Sequence, residues 1–353
     1  MAFLANTRTI KIVSIRPAAL TTLTTITGPR RRPGDSGVPA ISPDRRPPRV
    51  QSMNVRVEHR GRLDQAEVAA VLGVVEAATE ADGVRPLNEH VMLHLRYGGD
   101  ERAGAVLLYA GDELAGYAHV DPTDPAEGPS GELVVHPAHR RRGYGRRLLE
   151  AVLERTGGRL RLWAHGGHPG AEALAASAGL AKVRSLWQMR RPLEVPLDEY
   201  GLPDGVRLRT FVPETDGEAW VALNARAFAT HPEQGAWTLE DLKRREQESW
   251  FDPDGFFLAV RGDRLVGFHW TKVHGAGDHA HGPIGEVYVV GVDPAEQGGG
   301  LGRSLTLAGL SHLRSRGLAQ VMLYVDESNA AAVRLYERLG FTRWNTDVMF
   351  QKG

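Results

Sequence analysis

The sequence repeats itself, and this repeat constrains the fold more than any other feature. GDELAGYAHV at 111–120 matches GDRLVGFHWT at 262–271, and GELVVHP at 131–137 matches GEVYVVGVDP at 285–294. Further matches follow in the same order, RRRGYG with QGGGLG and then AGL with LGF. An ordered series of matches at similar spacing indicates two copies of one domain. The second copy has three extra residues between its glutamate and its proline.

Each copy shows the same succession of helix and strand patterns. An amphipathic helix is followed by a hairpin, a strand that ends in a glycine-rich loop, a helix, a strand and a last helix. This order predicts an α/β fold of two tandem domains, each with a mixed, mostly antiparallel sheet flanked by helices. Each copy is long enough to enclose a hydrophobic core of its own.

Composition divides the chain into four parts. Residues 1–52 carry nine basic and two acidic side chains without apolar periodicity, which predicts a disordered basic extension. Met53 opens the periodic sequence, and we expect the first domain to span 53–195. A linker rich in Pro and Gly follows at 196–205, and the second domain spans 206–353.

The composition also excludes several classes of protein. The chain has no cysteine, which excludes disulfides, zinc–thiolate sites and thiol nucleophiles. The chain has 43 basic and 43 acidic residues, and residues 1–52 carry a net charge of +7. The remaining residues therefore carry a net charge of −7, whereas a nucleic-acid-binding protein normally has a basic surface. No run approaches the ~18 apolar residues of a membrane span. We predict a cytoplasmic monomer that binds neither nucleic acid nor membrane.

The matched glycine-rich loops carry the strongest chemical signal. Both fit [Arg/Gln]-x-x-Gly-x-Gly, directly after a strand and at the start of a helix. Glycines let successive N–H groups converge, and the helix N-terminus adds the positive end of its dipole, so such a loop suits a phosphate group. No Gly-Lys-[Ser/Thr] follows, as it would in a P-loop, and the glycine spacing is not that of a Rossmann fingerprint.

With these loops, the chain resembles the GCN5-related N-acetyltransferase (GNAT) superfamily. The resemblance covers both copies and rests on V-x-P-x-x-[Arg/Gln]-x-x-Gly-x-Gly and, in the second copy, on Asn-x6-Tyr-x3-Gly-Phe from Asn329 to Phe341. It implies two GNAT-type domains whose loop N–H groups cradle the pyrophosphate of acetyl-CoA, the acetyl donor, with no metal.

The resemblance implies two catalytic residues in the second copy. Tyr336 takes the place of the tyrosine that protonates the leaving thiolate, and Glu286 is expected to act as general base, through water, on the substrate amine. The first copy has Ala175 opposite Tyr336 and lacks the three extra residues that would bulge and open its strand. We therefore predict that it is degenerate, although it can still hold acetyl-CoA. Glu132 stands where Glu286 does, so position alone does not decide the role of Glu286.

The same resemblance implies cofactor-binding residues in both copies. In the first copy they are Leu133, Val134, Val135, Arg141, Arg142, Gly143, Tyr144, Gly145 and Arg146. In the second copy they are Val290, Gly291, Val292, Gln297, Gly298, Gly299, Gly300, Leu301, Gly302, Arg303, Asn329, Ala330, Ala331, Ala332, Val333 and Arg334.

Four stretches of the second copy narrow the resemblance. These stretches are similar to the mycothiol synthase family, whose members are tandem acetyltransferases with an active C-terminal half. They read HPEQGAW, WFDPDG, GFHWTKVH and GEVYVVGVDP. That resemblance implies acetylation of the cysteinyl amine of cysteinyl-glucosaminyl-inositol to give mycothiol. The substrate contacts that it implies are Glu89, Glu233, Lys272, Glu286 and Tyr324.

Two alternatives stay open at this stage. The acceptor could be another amine, such as a protein N-terminus or an aminoglycoside, or the chain could be a non-catalytic acetyl-CoA-binding module. Tyr336 and Glu286 together argue against the second alternative, because a binding module needs neither an acid nor a base. His269 and His274 lie five residues apart on a strand and therefore on opposite faces, which argues against a metal site.

Overall fold

The computed structural model describes residues 54–98, 102–122, 128–229, 232–275 and 282–353. The predicted extension 1–52 and Met53 lie outside these residues.

The elements of the first copy are β1 (Val55–Arg60), α1 (Gln65–Asp82), α2 (Glu89–Tyr97), β2 (Gly104–Ala110), β3 (Glu113–Asp121), β4 (Ser130–Val135), α3 (Tyr144–Arg155), β5 (Leu160–Ala164), α4 (Pro169–Ser177) and β6 (Ala181–Pro192). Those of the second copy are β7 (Val206–Thr210), α5 (Pro213–Ala227), α6 (Pro232–Gly235), α7 (Leu239–Glu246), β8 (Phe256–Arg261), β9 (Arg264–His274), β10 (Ile284–Val292), α8 (Leu301–Ser315), β11 (Gln320–Asp326), α9 (Ala330–Arg338) and β12 (Thr342–Lys352).

Local sequence explains where the first helix begins and ends. The Asp64 side chain accepts a hydrogen bond from the backbone N–H of Glu67, whose own side chain reaches back to the Asp64 N–H. This capping box satisfies two of the N–H groups that a helix start leaves open. The helix ends at Gly83, which has a φ of 67°. No helix of the described residues is long and apolar enough to cross a membrane.

The described strands form a single twelve-stranded sheet. Its order is β1-β2-β3-β4-β5-β12-β6-β11-β10-β9-β8-β7. Only β4–β5 and β10–β11 pair in parallel, and the other neighbours are antiparallel. The prediction of two mixed, mostly antiparallel sheet units flanked by helices is confirmed. The units join edge to edge at β12 and β6, in the middle of the sheet.

The last strand of each copy crosses to the other copy. β6 follows the last helix of the first copy, yet it pairs with β11 of the second, with Gln188 opposite Tyr324. β12 ends the second copy and pairs with β5 of the first, with Val348 opposite Ala164. The two exchanged strands also pair with each other.

The exchanged strands complete the cores of the copies to which they cross. Leu186 and Met189 of β6 are buried in the core under α8 and α9, and Val348 and Phe350 of β12 are buried in the core under α3. Each copy is long enough for a core of its own, but each core includes side chains from the other copy. Residues 193–205 form no helix or strand, and the domain boundaries stay predictions.

Helices cover both faces of each half of the sheet. In the first copy α1 and α2 pack on one face and α3 and α4 on the other. In the second copy α5 and α7 pack on the face that carries Phe268 and Trp270, around the fully buried Trp220. Because side chains alternate along a strand, the neighbouring Lys272 and His274 share the face of Trp270.

Candidate active site

The two glycine-rich loops have the same backbone conformation. In the second copy φ is 91° at Gly298 and 83° at Gly300, and in the first copy it is 62° at Arg141 and 83° at Gly143. Helices α8 and α3 follow directly, and neither has a side-chain cap. A Cβ atom built at Gly298, Gly299 or Gly300 would meet no heavy atom within 4 Å. Open backbone N–H groups at a helix start fit a pyrophosphate group.

Arg141 is the one non-glycine residue with a positive φ in the described part of the chain. This conformation costs an L-residue roughly 1–2 kcal/mol. Since glycine avoids this cost but loses more backbone entropy on folding, we expect Arg141→Gly to raise the free energy of unfolding by about 0.5–1 kcal/mol. Thermal unfolding of the full chain without acetyl-CoA measures the change. The control is Arg142→Gly, which should lower the free energy of unfolding because Arg142 lies outside the left-handed region. A lower melting temperature for Arg141→Gly would show that its side chain stabilises the loop more than the backbone strains it.

In each copy the two parallel strands separate after two paired residues. β10 and β11 pair at Gly285 and Glu286 alone, and β4 and β5 pair at Ser130 and Gly131 alone. β10 also shifts register against β9 so that Tyr288 is an extra, bulged residue, whereas β4 stays in continuous register with β3. The expected bulge is therefore confirmed for the second copy. The expectation that the first copy lacks an opening is wrong, because separation of the strands does not require the bulge.

Glu286 lies fully buried where β10 and β11 begin to separate. One carboxyl oxygen is 2.6 Å from Nε2 of His274, and the other has no hydrogen-bond partner among the described residues. Burial raises the pKa of this carboxyl, and Glu89 raises it further while Lys272 lowers it, giving a pKa of about 8. A carboxyl with a free oxygen and a pKa near neutrality is suited to accept a proton.

Glu89 reaches from the first copy into this site. Helix α2 carries it, and its carboxylate contacts the Lys272 ammonium and accepts a hydrogen bond from the Tyr288 hydroxyl. Nε of Arg245 lies 3.9 Å from the same carboxylate. Burial alone would raise the pKa of Glu89, but Lys272 and Arg245 outweigh it and hold the pKa at about 2. Glu89 therefore stays ionised.

Aromatic rings enclose the two cations beside Glu89. Nζ of Lys272 lies 4.1 Å from the ring centroid of Trp250 and 5.1 Å from that of Tyr288. Cζ of Arg245 lies 3.6 Å from the ring centroid of Trp237, and its Nε donates to the Tyr288 hydroxyl at 2.9 Å. These rings shield the charges from water, which strengthens their attraction to Glu89.

Tyr336 is fully buried on α9, and its hydroxyl has no hydrogen-bond partner in the described part of the chain. Burial raises the pKa of the hydroxyl, so it is protonated at neutral pH. The backbone N–H of Phe341 donates to the Tyr336 carbonyl at 2.9 Å, as that of Leu180 does to the Ala175 carbonyl at 3.0 Å. The sequence alignment of Tyr336 with Ala175 thus holds in three dimensions.

The other predicted site residues with described positions occupy elements of both copies. Tyr324 lies on β11, fully buried, with its hydroxyl hydrogen-bonded to Gln188 of β6. Val290, Gly291 and Val292 end β10, Leu133, Val134 and Val135 end β4, and Asn329 caps the first turn of α9. Glu233 belongs to α6, and its side chain lies outside the described part.

One group of metal-type ligands occurs in the described residues, at the loop of the first copy. It comprises Glu113, His136 and His139, with ligand atoms within 4.8 Å of one another. Nε2 of His139 lies 3.1 Å from the carboxylate of Glu113. At the matching positions of the second copy, Arg264 pairs with Glu296 at 2.5 Å. The matching positions thus hold a structural ion pair in the second copy, and this match favours a structural reading of the contact in the first.

Comparison with known proteins agrees with this geometry. The chain matches the Acetyltransferase (GNAT) family model twice, over residues 75–179 and 219–341. It is 74% identical to the mycothiol acetyltransferase of Streptosporangium roseum, over 85% of this chain and 100% of that protein. It is 67% identical to the mycothiol acetyltransferase of Thermobispora bispora, over 85% and 100%. The chain belongs to the mycothiol acetyltransferase family.

Solved structures share the fold of this member of the mycothiol acetyltransferase family. A GCN5-related N-acetyltransferase from Sphaerobacter thermophilus is 28% identical, with a TM-score of 0.58, over 84% of this chain and 95% of that one. A tandem GNAT protein from the clavulanic acid biosynthesis pathway is 19% identical, with a TM-score of 0.63, over 84% and 98%. The second similarity concerns the fold alone.

Sequence reasoning missed three members of this mycothiol acetyltransferase site. Arg245 lies on α7, for which no helix was expected. Tyr288 stands two residues after Glu286 on β10, so strand alternation could have indicated that the two side chains share a face. The sequence indicates His274 only as a candidate metal ligand. Alternation places it on the face of Lys272, two residues before it, and that signal could have shown its proximity to Glu286.

Proposed function

We propose that the chain transfers the acetyl group of acetyl-CoA to the cysteinyl amine of cysteinyl-glucosaminyl-inositol, giving mycothiol. The observation that carries the chemistry is that the second copy has both a buried carboxyl oxygen and a buried tyrosine hydroxyl that lack a hydrogen-bond partner among the described residues. The choice of acceptor rests on the names of the close relatives. The enzyme is proposed to act as a cytoplasmic monomer on this small molecule.

Glu286 is proposed to be the general base. An α-amine has a reference pKa of about 7.7–8.0, close to that of the buried carboxyl, so proton transfer between them is nearly balanced. A bound ammonium group would stabilise the carboxylate by its charge. Glu286 accepts the proton, directly or through a water molecule, and the neutral amine attacks the thioester carbonyl.

Tyr336 is proposed to be the general acid. When the bond between the acetyl carbon and sulfur breaks, the negative charge falls on the CoA sulfur, which needs a proton. The Tyr336 hydroxyl is protonated and has no hydrogen-bond acceptor among the described residues, so it can donate its proton to that sulfur. Ala175 offers no such group in the first copy, which supports a catalytic second copy and a degenerate first copy.

The loop before α8 is proposed to hold the pyrophosphate of acetyl-CoA. Residues 297–303 would supply backbone N–H groups, and Val290–Val292 would pair with the pantetheine arm along the open edge of β10. The loop before α3 has the same conformation, which supports binding of acetyl-CoA there as well. The strained φ of Arg141 fits a loop kept in that shape for a ligand.

Glu89, Lys272, Tyr324 and Glu233 are proposed to bind the acceptor. Glu89 and Lys272 present an ionised pair beside Glu286, and such groups can exchange their mutual contact for the hydroxyls of a sugar and an inositol. Charge-assisted hydrogen bonds of this kind are the stronger ones. Because Glu89 comes from the first copy, the acceptor site requires both copies.

The acceptor is tested by measuring thiol release from acetyl-CoA with a panel of amines. The panel contains cysteinyl-glucosaminyl-inositol, free cysteine, an aminoglycoside and a peptide with a free N-terminus. We expect the highest kcat/KM with the first compound and an N-acetyl product of the corresponding mass. Higher kcat/KM with another amine would reassign the acceptor, and acetyl-CoA binding without turnover of any amine would indicate a binding module.

A further inference from the structure

The counterpart of the base in the first copy is engaged at both of its oxygens. Glu132 takes the place of Glu286, and its side chain is almost fully buried. Its Oε1 lies 3.1 Å from Nε2 of His165, and its Oε2 accepts a hydrogen bond of 2.7 Å from the backbone N–H of Asn88. Glu286 keeps a free oxygen, whereas Glu132 has none left to accept a proton from a substrate.

His165 links Glu132 to the exchanged strand. Its Nδ1 lies 2.9 Å from Oδ2 of Asp347 on β12, and Oδ1 of Asp347 accepts from the Gly166 N–H at 2.8 Å. Burial alone would lower the pKa of His165, but Asp347 and Glu132 outweigh it and raise the pKa to about 10. A protonated imidazole between two carboxylates forms a buried network with every carboxylate oxygen paired.

Asn88 connects this network to the catalytic site. It caps α2, and the next residue, Glu89, is the one that contacts Lys272 in the second copy. The other end of α2 is also tied to the second copy, since Arg96 and Tyr97 bond to Glu248 at 2.8 and 2.7 Å. Of the hydrogen bonds described here, the one from Asn88 to Glu132 fixes the start of α2 to the sheet of the first copy.

We propose that Glu132 is a positioning residue for the acceptor site: in place of a base, it anchors the N-terminus of α2 and so sets where Glu89 meets the substrate. This inference rests on the proposed function, because it takes Glu89 as an acceptor contact. It gives the degenerate copy a task in catalysis that is separate from any binding of acetyl-CoA.

Two variants of Glu132 separate anchoring from charge. Glu132→Gln keeps the length of the side chain and an oxygen for the Asn88 N–H but removes the charge. Glu132→Asp keeps the charge for His165 but is one methylene too short to span both contacts. If Glu132 anchors α2, Glu132→Asp should lower kcat/KM for the acceptor and Glu132→Gln should retain it. If Glu132 serves only as the ion-pair partner of His165, Glu132→Gln should be the harmful change and Glu132→Asp the tolerated one.

The kinetic test is a double-mutant cycle with Glu89→Gln. We expect Glu132→Asp to lower kcat/KM for the acceptor about tenfold in the wild-type background and to have almost no further effect with Glu89→Gln. The KM for acetyl-CoA should not change. Tyr117→Phe, which removes a buried hydroxyl contact with His119 in the same copy, is the matched control and should leave kcat/KM unchanged in both backgrounds. Additive effects of Glu132→Asp and Glu89→Gln would overturn the proposal.

Hydrogen exchange of the peptide that covers 88–97 provides a readout without substrate. We expect faster exchange in Glu132→Asp than in the wild type and in Glu132→Gln. Equal exchange in all three proteins would overturn the anchoring role whatever the acceptor is. If the wild type acetylates an amine other than the cysteinyl compound, the cycle is measured with that amine, so failure of the acceptor assignment is distinguished from failure of the anchor.

Discussion

Tyr336→Phe is expected to lower kcat by roughly 10²–10⁴, the usual contribution of one general acid. The substitution removes a single hydroxyl that has no hydrogen-bond partner in the described structure. The CoA thiolate would then leave without a proton donor, at every pH. Steady-state thiol release at saturating acetyl-CoA and acceptor measures kcat.

The same variant should keep its affinity for acetyl-CoA and its stability. The pyrophosphate is held by backbone N–H groups that the substitution does not touch, and deleting an unpaired buried hydroxyl removes no favourable contact. Calorimetric titration with acetyl-CoA and a thermal unfolding curve serve as controls. Tyr117→Phe, another buried tyrosine, should retain wild-type kcat. An unchanged kcat in Tyr336→Phe would show that Tyr336 is a core residue only.

Glu286→Gln is expected to lower kcat by a similar factor below pH 8, with the defect shrinking as pH rises. Below pH 8 the acceptor arrives as an ammonium, whose charge favours the ionised form of the Glu286 carboxyl, so the wild type has a base that takes the proton. The amide cannot take the proton, so the variant depends on acceptor that is already neutral. Above the amine pKa of about 8, most acceptor is neutral and solvent can remove the remaining proton.

The Glu286→Gln variant should keep the contact with His274, so its folding and acetyl-CoA binding serve as controls. Nε2 of His274 lies 2.6 Å from the Glu286 carboxyl, and glutamine preserves the size of the side chain and an oxygen at that position. The variant should therefore fold and bind acetyl-CoA as the wild type does. A defect that is constant from pH 6 to pH 9.5 would contradict the role of Glu286 as a base.

The fold was predictable within each copy and unpredictable where the copies join. Periodicity and turn signals predict, within each copy, a helix, a hairpin, a strand before the glycine-rich loop, a helix, a strand and a last helix, and the structure has these elements in this order. The exchange of β6 and β12 left no local signal, because the choice of a pairing partner depends on contacts far apart in sequence. Charged residues within β6 also made a buried strand hard to predict. Arg184 bonds to Asp326 and Arg190 stacks on the ring of Trp344, and both contacts form only in the assembled sheet.

The candidate site was likewise predictable in part. Motif and family resemblance indicated Glu286, Lys272 and Glu89, and the structure brings these three together across the two copies. Arg245 was not predicted, because burial of an arginine follows from tertiary contacts with Trp237 and Tyr288 and not from its own helix. The roles of these residues toward substrate stay proposals.

Paired pH–rate profiles of the two variants test the central claim, that one acid and one base of the second copy carry out acetyl transfer. The account predicts partial recovery of kcat at high pH for Glu286→Gln and no recovery for Tyr336→Phe. Both variants should bind acetyl-CoA with wild-type affinity. If instead both keep wild-type kcat and lose only affinity for acetyl-CoA, the two residues are structural and the assignment of roles is wrong.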